Sequence, residues 1–275
     1  MNQNIQPLLD AMWQDYLALT PDARPIHQLF ADLNGGKVVN DHIALRTFNL
    51  EKVTLDKIAA PFLNAGYLPG DDYHFPVKKL RARHFQHPDD SPETPFPKVF
   101  ISELLVEELP EEGCEIIRQL VDQLPPEQVA EPGFCYSGRP WTISIEQYQT
   151  LAAISEYAAW VSAHGFRPNH FTVSINHLTS HSDIDSVNQM LIDKGYSMNQ
   201  SGGLIKGSAD VLLEQSSTLA KTIPVHFSDG TLDVPGCYYE FALRYPQADG
   251  QLYQGFVAAS ADRIFESTDS PEKTG

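Results

Sequence analysis

Between Ile5 and Leu33 the apolar residues Leu8, Leu9, Met12, Trp13, Tyr16 and Leu17, then Ile26, Leu29 and Phe30, recur at helical spacing, interrupted by Thr20-Pro21. A Thr before Pro suits a helix start, so two helices are predicted, each with an apolar face to lay on a sheet. The pattern moves towards period two over Lys37–Phe48 and returns to helical spacing over Leu55–Ala65. Phe75–Phe85 and Lys98–Leu105, the latter around a Val-Phe-Ile run, read as strands. The first half is thus αβαβ-like, with a mostly antiparallel sheet expected. Leu124-Pro125-Pro126, Glu131-Pro132-Gly133 and Gly138-Arg139-Pro140 mark an ordered connection between halves. Ile145–His164 then has the spacing of one amphipathic helix, with Leu151, Ile154, Tyr157, Ala158 and Val161 on one face. A helix over Asp183–Lys194 follows, with strands around Gly203–Ile205, Val211–Leu213, Ile223–Phe227 and Tyr238–Tyr245. The stretch from Ser267 is polar and expected to fray.

The two halves share landmarks. Asn40–Phe48 (Asn-Asp-His-Ile-Ala-Leu-Arg-Thr-Phe) finds a second copy in Pro168–Ile175 (Pro-Asn-His-Phe-Thr-Val-Ser-Ile), which sets His170 on His42. The helical pattern after each copy ends in Gly-Tyr, at Gly66-Tyr67 and Gly195-Tyr196, and the two offsets differ by a single residue. Registered landmarks of this kind argue for a duplicated unit. If the halves pair about a pseudo-twofold axis, both histidines come to one centre.

Strand alternation says what else would face that centre. His42, Ala44 and Arg46 share one face of their strand, and His170, Thr172, Ser174 and Asn176 share one face of theirs. On the last strand Tyr238, Glu240, Ala242 and Arg244 point together. Two neutral imidazoles and a carboxylate make a three-donor face for a divalent metal, which leaves a six-coordinate ion three open positions. Competing assignments remain: a strand His is often a hydrogen-bonded structural residue, Arg46 could pair with Asp41, Glu240 with Arg244, and a slipped register would bring in His177. Glu103 is the apparent first-half counterpart of Glu240. The segment from Tyr73-His74-Phe75 through Arg81-Ala82-Arg83-His84 to His87 reads as a basic pocket wall in preference to a second metal site.

Charge narrows the partners. With 36 acidic against 19 basic residues and a formal charge of −17, the chain is a poor match for nucleic acid or an anionic membrane surface. A small anion remains a fit if a few arginines gather in a pocket. Cys114, Cys135 and Cys237 have no C-x-x-C spacing and leave an odd cysteine, which argues against a disulfide framework and for a cytoplasmic setting. The start of the chain has no basic and apolar leader pattern, and no apolar run approaches ~18 residues. G-x-S-x-G, Walker A, G-x-G-x-x-G and H-E-x-x-H patterns are absent.

Asp41–Phe48, Tyr73–Phe85, Asn169–Thr172 with Asn176-His177-Leu178, and Tyr239–Ala242 together resemble the 2-oxoadipate dioxygenase/decarboxylase family over almost the whole chain. The resemblance implies an α+β fold of two related βαβββ modules of vicinal oxygen chelate type with flanking helices. It divides the chain into 1–140 (helices and first module), 141–266 (connecting helix and second module) and a tail at 267–275, forming one globular unit with the site between modules. It further implies Fe(II) held by His42, His170 and Glu240, a substrate carboxylate gripped by Arg46, and a pocket-closing segment at 256–260 with Ser260 as a weaker substrate contact. The chain is shorter than long family members, lacking an insertion between Glu240 and Phe256. The implied reaction takes a 2-oxo acid and O2 as small-molecule partners and turns 2-oxoadipate into 2-hydroxyglutarate and CO2, in lysine catabolism. A metal-dependent isomerase or hydrolase on the same scaffold, and a non-catalytic small-anion-binding protein, are the competing readings.

Overall fold

The structure is a computed structural model that describes residues 5–258, 260, 263 and 265–268. Helices α1 (Gln6–Leu19) and α2 (Ala23–Leu33) lead into β1 (Asn40–Phe48), α3 (Leu55–Asn64), β2 (Leu68–Phe75), β3 (Leu80–Gln86) and β4 (Lys98–Leu104). The connection holds α4 (Glu111–Asp122), α5 (Pro126–Val129), α6 (Ile145–Ile154) and α7 (Glu156–His164). The second half runs β5 (Pro168–Ser174), α8 (Ile184–Asp193), β6 (Lys206–Ser208), β7 (Leu213–Ser217), β8 (Thr222–Phe227), β9 (Gly230–Pro235) and β10 (Tyr238–Arg244). One sheet has the order β2-β3-β4-β1-β5-β10-β7-β6, and β8-β9 form a separate hairpin inserted before the last strand.

The order is symmetric about its middle. In each half the first strand lies parallel to the last (β1 with β4, β5 with β10), and the remaining neighbours are antiparallel. Each half is therefore a βαβββ module, and antiparallel pairing of β1 with β5 joins them. The repeated Gly-Tyr has a local cause. Gly66 and Gly195 take left-handed φ of 103° and 84°, where a Cβ would be strained. Tyr67 N–H then donates to Phe62 O and Tyr196 N–H to Leu191 O, both at 3.0 Å, closing the same helix stop after α3 and after α8.

The helical layer covers the convex face. Trp13 and Tyr16 of α1 each set their rings 5.0 Å from Phe171, and Phe30 of α2 lies 5.7 Å from Phe241. Burying such rings is worth roughly 1.5–3 kcal/mol each. Polar side chains are left to the concave face, where the site lies.

Several expectations give way to the structure. The first-module sheet is mostly antiparallel as expected, β2 with β3 and β3 with β4, but β1 runs parallel to β4, which period-two patterning cannot foretell because it carries no direction. Phe75–Phe85 is the end of one strand and most of another, separated by a turn in which Lys79 has φ 56°. Ile145–His164 is two helices, broken where Ser155 turns extended (φ −156°, ψ 114°) and its Oγ accepts from Ala158 N–H at 3.2 Å. Residues Tyr157–His164 of α7 are buried on all sides, not amphipathic. Strands β6 and β7 start later than Gly203–Ile205 and Val211–Leu213, and β9 has no counterpart in the sequence reading. Ser267 and Thr268 are buried rather than frayed; residues 269–275 lie outside the described ones.

Candidate metal centre

Register explains why three distant residues meet. His42 on β1 and Glu240 on β10 both pair with Thr172 of β5, so they flank one small side chain. His170, two residues before Thr172 and on the same face, pairs with Ala44 and Tyr238. His42 Nε2 lies 3.2 Å from Glu240 Oε1, His170 Nε2 lies 3.3 Å from Glu240 Oε2, and the two Nε2 atoms are 3.4 Å apart. All three residues are buried, and among the described residues they form the one cluster of this composition able to hold a metal ion. His177 stands outside it, its Nδ1 2.9 Å from Ser174 Oγ.

Each imidazole is held from behind by the residue before it. Asp41 Oδ1 is 2.7 Å from His42 Nδ1, and Asn169 Oδ1 is 3.2 Å from His170 Nδ1. These contacts turn both Nε2 atoms towards Glu240, as second-layer partners of metal-bound histidines do. The ion pairs weighed from sequence are redistributed. Arg244, rather than Arg46, binds Asp41, through Nε at 2.7 Å and Nη2 at 2.9 Å. Arg244 Nη1 also donates to Tyr253 O and Gly255 O, and its guanidinium lies over the Phe256 ring. Phe256 in turn closes edge-on against His42, ring centres 4.8 Å apart.

The electrostatics fit a cation. Burial works against the charge on Glu240, yet the His170 and His42 imidazoles beside it bring its carboxyl below the ordinary value. Burial drives His170 down to about 3, leaving it neutral. Burial opposes protonation of His42 too, but Glu240 and Asp41 outweigh it and raise its pKa. Gln215 donates to Glu240 Oε1 at 2.6 Å, while Oε2 accepts no hydrogen bond and no lysine or arginine pairs with the carboxylate among the described residues. A wholly buried carboxylate of this kind is costly without a counter-charge. Two imidazoles and a carboxylate on one face suit a divalent first-row metal with open positions.

The other predicted residues are spread more widely. Arg46, buried two residues beyond Ala44, lies between the Tyr157 and Trp160 rings, each 5.1 Å from its guanidinium carbon, and both Nη atoms are 3.4 Å from Thr268 Oγ1. It also lines a cavity of about 350 Å³ with Lys78, Lys79, Tyr157 and Thr268. A larger cavity of about 790 Å³, lined by Ile5, Leu8, Pro61 and Val129, contains none of the site residues. Ser260 is buried, its Oγ 3.1 Å from where a Cβ on Gly207 would sit; Ala259 is outside the described residues.

Glu103 is not the counterpart of Glu240. It pairs with Thr47, on the face opposite to Arg46, where it accepts from Leu55 N–H at 2.7 Å at the start of α3 and pairs with Arg81. The Tyr73–His87 segment contributes half of the expected wall. The Tyr73 hydroxyl bonds to His84 Nδ1 at 2.9 Å and accepts from Phe256 N–H at 3.0 Å, tying β2 and β3 to the cover over His42. Arg83 instead pairs with Asp72 and Asp56, and His87 stacks on Phe96. Sequence reasoning expected the covering segment that begins at Phe256 but missed the roles of Asp41, Asn169 and Gln215; an Asp or Asn directly before each histidine was the available signal for the first two.

A family model for 2-oxoadipate dioxygenase/decarboxylase matches residues 8–131 and 137–250. The chain belongs to that family. The chloroplastic 2-oxoadipate dioxygenase/decarboxylase of Arabidopsis thaliana is 36% identical over 95% of this chain and 76% of its own length. A rice (Oryza sativa) hydroxyglutarate synthase solved in complex with 2-oxoadipate is 33% identical, covering 98% of this chain and 94% of that one, with a TM-score of 0.91. A Shewanella frigidimarina protein, whose description proposes a hydrolase, is 52% identical over 94% of this chain and all of that one, with a TM-score of 0.88. The family's enzymes are dioxygenase/decarboxylases, and the two-module α+β fold is shared with a Ralstonia eutropha protein described as of the glyoxalase superfamily, 22% identical over 90% of this chain and 83% of that one with a TM-score of 0.70. No helix among the described residues is long and apolar enough to cross a membrane.

Proposed function

We propose that the chain is an Fe(II)-dependent dioxygenase that converts 2-oxoadipate and O2 into 2-hydroxyglutarate and CO2. The observation that carries this reading is the buried His42, His170 and Glu240 face, one counter-charge short, in a member of this family. Bound there, the iron would supply a chelating site for the 2-oxo acid and the means to activate O2. The protein's own part is positional. Asp41 and Asn169 orient the two imidazoles, and Gln215 orients the carboxylate. Phe256 excludes water from the His42 side. Arg46, always charged and forked, binds a substrate carboxylate, with Ser260 as a further contact.

The acidic surface is in keeping with small-molecule partners rather than nucleic acid, and three free buried thiols suit a cytoplasmic enzyme. Work on 2-oxoadipate would place it in lysine catabolism. The hydrolase description of the Shewanella protein supports a second reading, in which a metal ion on the same donors activates water.

Oxygen dependence separates the two. Iron-loaded protein should consume O2 and release CO2 from 2-oxoadipate in equal amounts and do neither under anaerobic conditions. Unimpaired decarboxylation without O2 would exclude the oxygenase.

A further inference from the structure

On the face of the metal donors, Tyr238 shares the register row of His170 and Ala44, with His42 and Glu240 one row to one side and Arg46 two residues beyond Ala44 on the other. Tyr238 pairs with His170 across β10 and β5 and lies two residues before Glu240, so its side chain shares the face of the donors. Its ring stacks on His170, centres 4.7 Å apart and planes 29° apart. The ring is wholly buried. Its hydroxyl neighbours Arg46, a side chain with donors only. The hydroxyl proton consequently finds no acceptor among the described residues. A buried O–H donor left unmatched beside a buried guanidinium is a seat awaiting an anionic oxygen.

We propose that Tyr238 and Arg46 together seat the remote carboxylate of a 2-oxo diacid, and that the Tyr238 hydroxyl sets the preference for diacids over 2-oxo monoacids. The inference rests on the 2-oxo acid reading above and adds a residue that determines specificity. The register gives the direction: from the row of His42 and Glu240, the substrate chain would run past Ala44, whose side chain is small, to Tyr238 in that same row and Arg46 two residues beyond. A phenol hydroxyl, with an O–H to donate, is a suitable partner for a carboxylate oxygen. A site that hydrogen-bonds a polar group rejects the analogue lacking it, since its own donors are then left unpaired.

Tyr238→Phe removes the hydroxyl and keeps the ring on His170. Compared with wild type, kcat/KM for 2-oxoadipate should fall about tenfold, mainly through KM, while kcat/KM for 2-oxohexanoate stays unchanged. Calorimetric titration without O2 should show the same selective loss of diacid affinity, and Fe(II) affinity should not move. Equal losses for both acids, no loss for either, or impaired Fe(II) binding would overturn the proposal. Wild-type protein that binds the diacid selectively but consumes no O2 would defeat the oxygenase reading and leave the seat standing, whereas wild-type protein that binds neither acid would overturn both.

Discussion

Phe100 holds, in the first module, the register position that Glu240 holds in the second: Ala44 pairs with Phe100 on β4 as Thr172 pairs with Glu240 on β10, each two residues past its histidine. The duplication has therefore kept both imidazoles and only one carboxylate. In place of a second acid, Phe100 packs 4.9 Å from Phe256, the ring that covers His42. One half supplies two donors, and the other supplies one donor and an apolar wall.

That asymmetry separates ligand loss from packing loss. His42→Ala, His170→Ala and Glu240→Ala should each give folded protein that no longer retains Fe(II), while His177→Ala should load normally. Phe100→Ala should keep full metal stoichiometry but lose about 3–5 kcal/mol of stability by urea titration, the usual cost of emptying a buried aromatic site. Metal retained by His170→Ala and lost by His177→Ala would reverse the assignment.

How much of this the sequence disclosed depended on the kind of signal. The duplication was legible because Gly66 and Gly195 serve a backbone need that few other residues meet, and because His42 and His170 stand at equal places in two alternating strands. Strand direction was not legible, since alternation is blind to parallel or antiparallel partners; hence Glu103, two residues after the Val-Phe-Ile run and paired with Thr47, looked like the mate of Glu240. Strands β6 and β7 were displaced because Lys206–Ser208 and Glu214–Ser217 carry little apolar period. The face of Tyr238 could be read from alternation, but its stacking on His170 depends on β10 lying beside β5, which no local pattern reveals. The break at Ser155 was hidden because tertiary burial of α7 supplies apolar residues all round and masks the periodicity.

Asp41 should govern metal affinity through His42. It is held by two hydrogen bonds from Arg244, and both side chains are buried. Asp41→Asn should weaken Fe(II) binding about 10–100-fold, as loss of such a partner behind a metal-bound His commonly does. Arg244→Gln should cost more in stability, on the order of 3–5 kcal/mol, because it strands the buried Asp41 charge. Competition titration with a chelator and urea unfolding check the two effects; an Asp41→Asn variant with unchanged affinity would show that the 2.7 Å contact to His42 does not tune the ligand.

Arg46 should act on substrate and not on metal. By strand rise its Cα is about 13 Å from that of His42, four residues away, and none of the three donors touches it in the described hydrogen bonds. Removing a charged contact in a desolvated pocket should cost about 2–4 kcal/mol, a drop of ~30- to 1000-fold in kcat/KM for 2-oxoadipate. Arg46→Lys should recover little, since an ammonium cannot reproduce the planar fork or its stacking between Tyr157 and Trp160. Loss of Fe(II) by Arg46→Ala as complete as that by His42→Ala would assign Arg46 a structural role instead.

Metal loading should weaken at acid pH, and His42 should set where. Its pKa in the metal-free protein is raised above the ordinary 6.5, Glu240 is lowered, and His170 lies at about 3. Above the raised value all three donors are ready and binding displaces no proton. Below it the ion must displace one proton from His42, so affinity should fall by about one decade per pH unit. His170 and Glu240 add nothing until far lower pH. The metal-free protein should respond in the opposite sense: a raised histidine contributes stability that is full below the unfolded value and is lost as pH rises through the folded one. Asp41 is one cause of the raised value, so Asp41→Asn should move the downturn in loading to lower pH while lowering the plateau. Fe(II) or Co(II) titrations between pH 5 and pH 8 would read both; a loading curve flat across that range would show that His42 is already neutral in the metal-free site.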